Sequence, residues 1–479
     1  MVTLYAQPSI GQGTASIILW KVGYVNPRLR PCLLAGRIRK LASDHATRAC
    51  APLQRSPTGR FDMAPAPGHD RGMELPNAYD CPPAVARLLR LLAFGAPPEP
   101  AAIAQWPDEE WRAILEAAGR QELSPLLHRR LVDTALPAPE ATLARLRRHY
   151  LRVAADNTRR FAALEEALLA LHGADVRVIL LKGAHLAPLV YGNIALRPMV
   201  DVDLLVRDHD ADKALGALSA LGYAPLAGGA WMEDRYGHHA LRRNDGLLLE
   251  LHQRVGALAV GAHVDQAGLW QRAQPTQIGR AAALALAPLD LLLHLCVHGA
   301  QQHLLQLGLL PLYDIGQVLA RYGAELDWEA CIRRAHAWRV ARAVYLMLAL
   351  ARRLLDAPVD PGALVALAPP DGEAYVALAL GALLQRDREA AAPSSNLVAL
   401  WSEHRWRARL ALCLRILLPN AQRMRALYGV PTDRPVAPWL YLRRWADLLT
   451  RREESVRQWL NRPGEGPDWQ ALVRWLAQG

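Results

Sequence analysis

Residues 199–206 read Met-Val-Asp-Val-Asp-Leu-Leu-Val and set two carboxylates in an otherwise apolar run. The branched apolar residues around Asp201 and Asp203 predict a buried strand over residues 200–206. Side chains at positions i and i+2 of a strand share one face, so these carboxylates should lie side by side. Such a pair repels unless a cation neutralises it, and hard oxygen ligands suit Mg²⁺. We therefore predict that Asp201 and Asp203 hold a divalent metal.

A third carboxylate, Glu250, is available further along the chain. It interrupts the apolar run 247–252, which follows the turn signal Asn244-Asp245-Gly246 and forms a predicted hairpin with residues 239–242. If this strand lies beside residues 200–206, Glu250 completes a three-carboxylate cluster of the kind that holds two metal ions. His252 shares the face of Glu250, and both ligand contact and simple packing remain open for it.

A phosphate-binding turn is predicted upstream, at Lys182 and Gly183. The apolar run 176–181 predicts a strand, and residues 185–191 predict a helix after it. A helix N-terminus offers free backbone N–H groups to a phosphate, while glycine permits close approach and lysine supplies charge. Arg197 lies four residues before Asp201 and is predicted to contact a triphosphate.

This order of elements resembles the polymerase-β-like nucleotidyltransferase superfamily. It is similar above all to a bacterial family of uncharacterised nucleotidyltransferases found in natural-product and polysaccharide gene neighbourhoods. The resemblance spans about residues 80–430 and is strongest at 180–206. The stretches that carry it are LLKGAHLAPLVYGNIALRPMVDVDLLVR (180–207), LGY (221–223), LELH (249–252) and LDLLLHLCVHGAQQH (289–303).

The resemblance implies transfer of a nucleoside monophosphate from an NTP to an acceptor hydroxyl on a small molecule, peptide or saccharide. It implies Mg²⁺, as two ions, with Mn²⁺ as an alternative. The implied catalytic and metal-binding residues are Asp201, Asp203 and Glu250. Nucleotide binding falls to Lys182, Gly183, Ala184 and Arg197, and substrate contact to His185, His252 and His298.

We expect an α+β fold in which a small mixed sheet lies between N-terminal and C-terminal helical regions. The expected divisions are a disordered or non-native extension (1–72), an N-terminal helical region (73–173), the nucleotidyltransferase core (174–256), a helical domain (257–400) and a basic Trp/Arg-rich helical region (401–479). Within the first helical region the longest helix is predicted over 139–171, and helical patterning is expected to return from Ala281 onward.

Several polar residues outside this constellation have competing interpretations. His294, His298 and His303 fall on one predicted helix, where a structural role is favoured over substrate contact or metal binding. The pair at 238–239 is predicted to lie on the surface. Asp290 and Asp314 could reach the site, although helix capping or salt bridging is the favoured role for both.

The net charge of +11 is concentrated in residues 1–72 and 401–479. In the latter, tryptophans interleave with arginines, which we interpret as a helical subdomain with tryptophan in its core. Two alternatives are stacking on nucleic acid and contact with a membrane surface. An RNA acceptor, as in toxin-like nucleotidyltransferases, is therefore one rival function. A non-catalytic binding protein inside a biosynthetic assembly is another.

The cysteines are scattered and form no Cys-x-x-Cys pair, which disfavours a zinc knuckle or a disulfide framework. No apolar run reaches the roughly 18 residues that a transmembrane helix needs, and the N-terminus lacks the pattern of a signal peptide. We therefore expect a cytoplasmic protein without a transmembrane segment.

Overall fold

The computed structural model describes residues 81–226, 238–256, 261–384, 401, 406–428, 430, 434–450 and 468–478. The predicted extension at 1–72 lies outside the described residues, as does Trp459. The α+β class is confirmed, because helices surround one mixed sheet in the middle of the chain.

Five helices precede the sheet: α1 (Pro83–Leu92), α2 (Pro100–Ala104), α3 (Asp108–Arg120), α4 (Ser124–Asp133) and α5 (Glu140–Gly173). Proline opens α1 and α2, where its missing N–H costs no hydrogen bond. Three acids, Asp108, Glu109 and Glu110, occupy the first turn of α3 and favour the positive end of its dipole. The long helix predicted over 139–171 is confirmed as α5.

Among the described residues, seven strands form one sheet in the order β3-β4-β5-β2-β1-β7-β6. Their bounds are β1 (Ile179–Leu180), β2 (Asp201–Leu205), β3 (Tyr223–Pro225), β4 (His238–Arg243), β5 (Leu248–His252), β6 (Gln274–Ile278) and β7 (Ala281–Ala285). Strand β2 runs antiparallel to β1 and parallel to β5. Interspersed are α6 (Lys182–His185), a π-helical turn (Leu186–Val190), α7 (Ala211–Ala220) and α8 (Gln266–Arg272).

The observed strands differ from the predicted ones at two places. The strand predicted over 176–181 is shorter, Ile179–Leu180, with one further backbone hydrogen bond to a neighbouring strand at each of Val178 and Leu181. Helix was expected from Ala281 onward, but residues 281–285 form β7, which pairs with β1 inside the sheet. A short alanine-rich run has too little periodicity to distinguish helix from strand. In the folded protein this run pairs with β1 and therefore forms a strand.

Helices return after the sheet: α9 (Pro288–Val297), α10 (Leu310–Tyr322), α11 (Trp328–Ala337), α12 (Ala341–Leu355), α13 (Pro361–Leu367) and α14 (Gly372–Leu384). A π-helical turn (His298–Gln302) continues α9. The C-terminal part contributes α15 (Trp406–Leu417), α16 (Ala421–Tyr428), α17 (Trp439–Thr450) and α18 (Trp469–Ala477). The interpretation of tryptophan as core holds for Trp469 and Trp475, which are buried, whereas Trp406 and Trp439 are exposed.

Two hydrophobic clusters bury the two faces of the sheet. One gathers Val202 and Leu204 with Leu249 and Leu251 against α5 and α7. The other contains Leu205 and joins the sheet to α9, α10 and α12. Because side chains alternate along a strand, burying Val202 and Leu204 on one face sends Asp201 and Asp203 to the other.

The described cysteines, Cys81, Cys296, Cys331 and Cys413, are all free. Over the described part of the chain, no single helix is long and apolar enough to cross a bilayer. The bent pair α13–α14, with 104° between its helices, meets the same test by length and composition alone.

Candidate active site

The register between β2 and β5 brings the three predicted acids to one face of the sheet. Asp203 lies directly beside Glu250, and Asp201 lies beside Leu248. Asp201 and Asp203 share a face because they are two residues apart, and Glu250 joins that face as the neighbour of Asp203. All three carboxylates line one cavity. The predicted pairing of the two strands is therefore confirmed.

Lys182 supplies the positive charge nearest to these acids. Its Nζ lies 2.5 Å from Asp203 Oδ1 and 3.7 Å from Glu250 Oε2. Burial acts to lower the pKa of Lys182, but attraction to Asp203 and Glu250 outweighs it and raises that pKa. The same ammonium lowers the pKa of Asp203 against the opposing effect of burial. Lysine and aspartate therefore face each other in their charged forms.

Asp201 is the least compensated of the three acids. Burial, and then repulsion from Asp203 and Glu250, raises its pKa to about 6. Burial contributes most to this shift, and the repulsion that follows shows that Asp203 and Glu250 place further negative charge close to this carboxyl. Oxygen donors with surplus negative charge fit a hard divalent cation, so the residues present suit such an ion.

The turn at Lys182 and Gly183 leaves little space around its backbone. Lys182 adopts a φ of +39°, a left-handed conformation that is rare for a residue with a side chain. A Cβ built at Gly183 would lie 2.4 Å from Met199 Sδ and 2.8 Å from an Arg197 nitrogen. A side chain at position 183 would therefore have to displace Met199 or Arg197 from the loop before β2.

Arg197 is bound within the protein. Its Nε and Nη2 donate to the two carboxylate oxygens of Asp314 at 3.0–3.2 Å, and Nη1 donates to the carbonyl of Pro198. Tyr191 donates its hydroxyl to the same carboxylate at 2.7 Å. Arg197 lines the cavity, but this buried network ties the loop before β2 to α10. The salt-bridging role favoured for Asp314 is thereby confirmed.

The cavity measures about 410 Å³ and has two chemically different walls. The sheet side carries Lys182 and the three acids. The helical side carries His298, His303, Gln306, Leu307, Leu310 and Pro311, together with Leu295 and two acids, Glu122 and Asp314. Asp314 is paired with Arg197, so the part of this wall around the two histidines is apolar or neutral.

The two histidines of the helical wall are held neutral. Burial lowers the pKa of His303 to about 4, and that of His298 falls well below its usual value for the same reason. Their rings meet edge to face with centroids 4.4 Å apart. The π-helical turn that contains His298 is a local widening of the helix, a feature frequent at functional sites.

His238 was expected on the surface, and that prediction is wrong. Only 4% of the residue is exposed, and its Nε2 lies 3.1 Å from Glu250 Oε2. A signal for this was present in the sequence. Cross-strand partners in a hairpin have residue numbers with a constant sum, and the turn centred on Asp245 pairs 238 with 252.

Other predicted residues lie away from the cavity surface. Ala184 and His185 are buried in the core and are not among the residues that line the cavity. His252 is also outside that lining, but its Nε2 lies 2.8 Å from Asp203 Oδ1. Asp290 is fully buried and paired with arginines of α8 and α11, which confirms the structural role favoured for it.

His294 is buried as well, and neither of its ring nitrogens has a hydrogen-bond partner. Burial lowers its pKa to about 3, so it is neutral in the folded protein. This agrees with the structural role favoured for it.

One protein family matches the part of the chain that carries this cavity. A family described as uncharacterised nucleotidyltransferase matches residues 107–356, just over half of the chain. The chain belongs to this family. No curated protein matches it. Membership supports a general role in nucleotidyl transfer, implies an NTP substrate and suggests a divalent metal. The matched range contains β1, β2 and β5 and the whole two-walled cavity.

Proposed function

We propose that this protein is a Mg²⁺-dependent nucleotidyltransferase that transfers a nucleoside monophosphate from an NTP to an acceptor hydroxyl. The observation that carries the proposal is the parallel register of β2 and β5, which sets Asp203 beside Glu250. With Asp201 on the same face, three carboxylates meet a lysine and a glycine turn at one cavity. The acceptor is of unidentified class, and natural-product or polysaccharide biosynthesis is the proposed setting.

In the proposed reaction an acceptor oxygen forms a bond to the α-phosphorus of the NTP. The bond from that phosphorus to the oxygen bridging toward the β-phosphate breaks, and pyrophosphate leaves with the electron pair. Asp201, Asp203 and Glu250 would hold the divalent cations. When bound, these ions neutralise the polyphosphate and lower the barrier to in-line displacement.

The chain's own residues then have separable tasks. We propose that Glu250 helps to take up the acceptor proton, because its carboxylate lies beside Asp203 and lines the cavity. Lys182 exchanges its contact with Asp203 for a phosphate oxygen as the triphosphate enters. Gly183 lets Met199 and Arg197 of the loop before β2 pack closely against the turn. We assign Arg197 the task of holding the loop before β2 in place, because Asp314 and Pro198 take up its hydrogen bonds.

The helical wall is proposed to receive the uncharged part of a substrate. His298 and His303 are neutral and lie beside Leu307, Leu310 and Pro311, so this wall favours a planar or apolar group over an anion. We propose that it contacts the nucleobase or an acceptor ring, with the phosphates turned toward Lys182.

The decisive experiment compares the wild type with Asp201→Asn combined with Asp203→Asn. Each labelled NTP is incubated with Mg²⁺ and a cell extract, and labelled products are identified. The double variant should lose transfer while its circular dichroism spectrum stays unchanged. Asp208→Asn is the matched control, because this aspartate is half-exposed and paired with Arg254 away from the cavity. Transfer retained by the double variant would contradict the proposal.

The two rival functions give different results in the same experiment. If RNA is the acceptor, the label appears in RNA and binding weakens steeply with salt. A non-catalytic protein would be stabilised by Mg-NTP without any labelled product. The contact of Lys182 with Asp203 supports the non-catalytic rival in one respect. A lysine that never released this carboxylate would keep the cation out of the site.

A further inference from the structure

Two histidines outside the predicted carboxylate cluster stand directly against it. His238 on β4 is the cross-strand partner of His252 on β5. Their imidazoles stack with centroids 4.4 Å apart and planes 12° apart. Both rings lie on the face of the sheet that carries Glu250, because Glu250 precedes His252 by two residues.

The ring nitrogens converge on one carboxylate oxygen. Nε2 of His238 lies 3.1 Å from Glu250 Oε2, and Nε2 of His252 lies 3.5 Å from the same atom. Donor atoms of the three residues all lie within 4.8 Å of one another. Nitrogen and oxygen ligands of one ion sit about 2.0–2.2 Å from it, so ligands on opposite sides are separated by about 4 Å. One ion can therefore reach all three donors once the side chains shift and His252 Nε2 gives up its 2.8 Å contact with Asp203 Oδ1.

The lack of hydrogen bonds to His238 is a second observation that points to a ligand at this site. Neither of its ring nitrogens makes a hydrogen bond of acceptable geometry, although the residue is 4% exposed. Leaving a buried polar group without a hydrogen-bond partner is unfavourable, because the group has lost its contacts with water. His238 Nε2 nevertheless lies 3.1 Å from Glu250 Oε2, so the ring is positioned beside this carboxylate.

We propose that His238, Glu250 and His252 form a separate binding site beside the catalytic carboxylates, and that this site prefers a first-row transition-metal ion to Mg²⁺. Imidazole suits ions such as Mn²⁺, Co²⁺ and Zn²⁺, whereas Mg²⁺ keeps to carboxylate, carbonyl and water oxygens. The inference rests on the proposed function in one respect: Glu250 is shared with the catalytic carboxylates. The nearly parallel rings must tilt apart for both lone pairs to meet one ion, so binding opens the stack.

The test uses the full chain and Mn²⁺ as the probe. Equilibrium binding is followed by electron paramagnetic resonance, with Mg²⁺ as competitor, and pulsed spectra report nitrogen coupled to the bound ion. The wild type should show histidine nitrogen coupling and should retain Mn²⁺ against excess Mg²⁺. His238→Gln and His252→Gln should each weaken Mn²⁺ binding by about tenfold or more and reduce the nitrogen coupling.

His209→Gln is the matched control, because this histidine is largely exposed and contacts only Asp210 among the ion pairs of the described residues. It should bind Mn²⁺ as the wild type does. Nitrogen coupling in the unaltered protein decides the matter even if a variant fails to fold. A wild type that binds Mn²⁺ without nitrogen coupling, or that binds Mg²⁺ equally well, overturns the inference.

The two proposals fail in different ways. Mg²⁺-supported transfer that is lost in the Asp201/Asp203 double variant, together with absent nitrogen coupling, overturns the histidine site and leaves the proposed function intact. Histidine-coupled Mn²⁺ with no labelled product for any NTP supports the histidine site and overturns the proposed function.

Discussion

Replacing Asp314 by asparagine removes one charge from a buried pair and leaves the other in place. Only 2% of the Asp314 side chain and 14% of the Arg197 side chain are exposed. Three contacts of 3.0–3.2 Å join them, and Tyr191 adds a fourth at 2.7 Å. The substitution keeps the shape but leaves a guanidinium uncompensated.

The expected cost is set by that unpaired charge. Removing one partner of a buried ion pair typically destabilises a protein by about 3–5 kcal/mol. Asp314→Asn should therefore lower the free energy of unfolding by roughly that amount, toward the lower end, because the amide oxygen still accepts one hydrogen bond. Arg197→Met together with Asp314→Asn should cost less than the two single variants added together, by about 1–3 kcal/mol.

The assay is equilibrium unfolding in urea, followed by circular dichroism. Asp133→Asn supplies the matched control, since Asp133 pairs with Arg129 on an exposed helix surface with 48% and 46% of the side chains accessible. Exposed pairs contribute about 0–1 kcal/mol, so this control should change stability little. Equal effects of Asp314→Asn and Asp133→Asn would refute the assignment of Arg197 as a buried tie to α10.

Three further outcomes are expected. Gly183→Ala should weaken Mg-NTP binding in a thermal-shift titration and cost about 1–3 kcal/mol of stability, because the new methyl group meets Met199; unchanged binding would show that the turn tolerates a side chain. His303→Ala should raise the KM for NTP or acceptor and leave Mn²⁺ binding unchanged; a loss of metal binding instead would contradict the two-walled cavity. His294 has a folded-state pKa of about 3, so stability should fall as pH drops below about 6.5, because the unfolded chain then takes up the proton first. Between pH 7 and pH 5 the wild type should lose about 2 kcal/mol more stability than His294→Leu. Equal losses would show that His294 is not the group responsible.

The carboxylate site was largely predictable because its spacing is local. Two aspartates at i and i+2 in a strand must share a face, and a tight turn before residue 247 fixes which residues of the hairpin are paired. These are consequences of local backbone geometry. The pairing of β2 with β5 was a conditional expectation, since parallel neighbours are joined by long connections that do not determine register.

The burial of His238 was not predicted, although the hairpin register around it is local. The hairpin register that placed Glu250 also determined the partner of His252, but a histidine at a strand end resembles a surface residue when composition alone is considered. Burial of this side chain depends on what covers the end of the strand, which is a property of the folded molecule.

The pairing of Arg197 with Asp314 could not be predicted from the sequence. An arginine just before an acidic strand suits a triphosphate, and the amino-acid sequence alone favoured that role. Its carboxylate partner is 117 positions away on α10. The sequence by itself determined strands β2 and β5, the turn at Gly183 and the shared face of the acids, because neighbouring backbone dihedrals constrain those features. Only the tertiary structure decided which charges meet across the cavity, because long-range pairing depends on how whole elements bury their apolar faces.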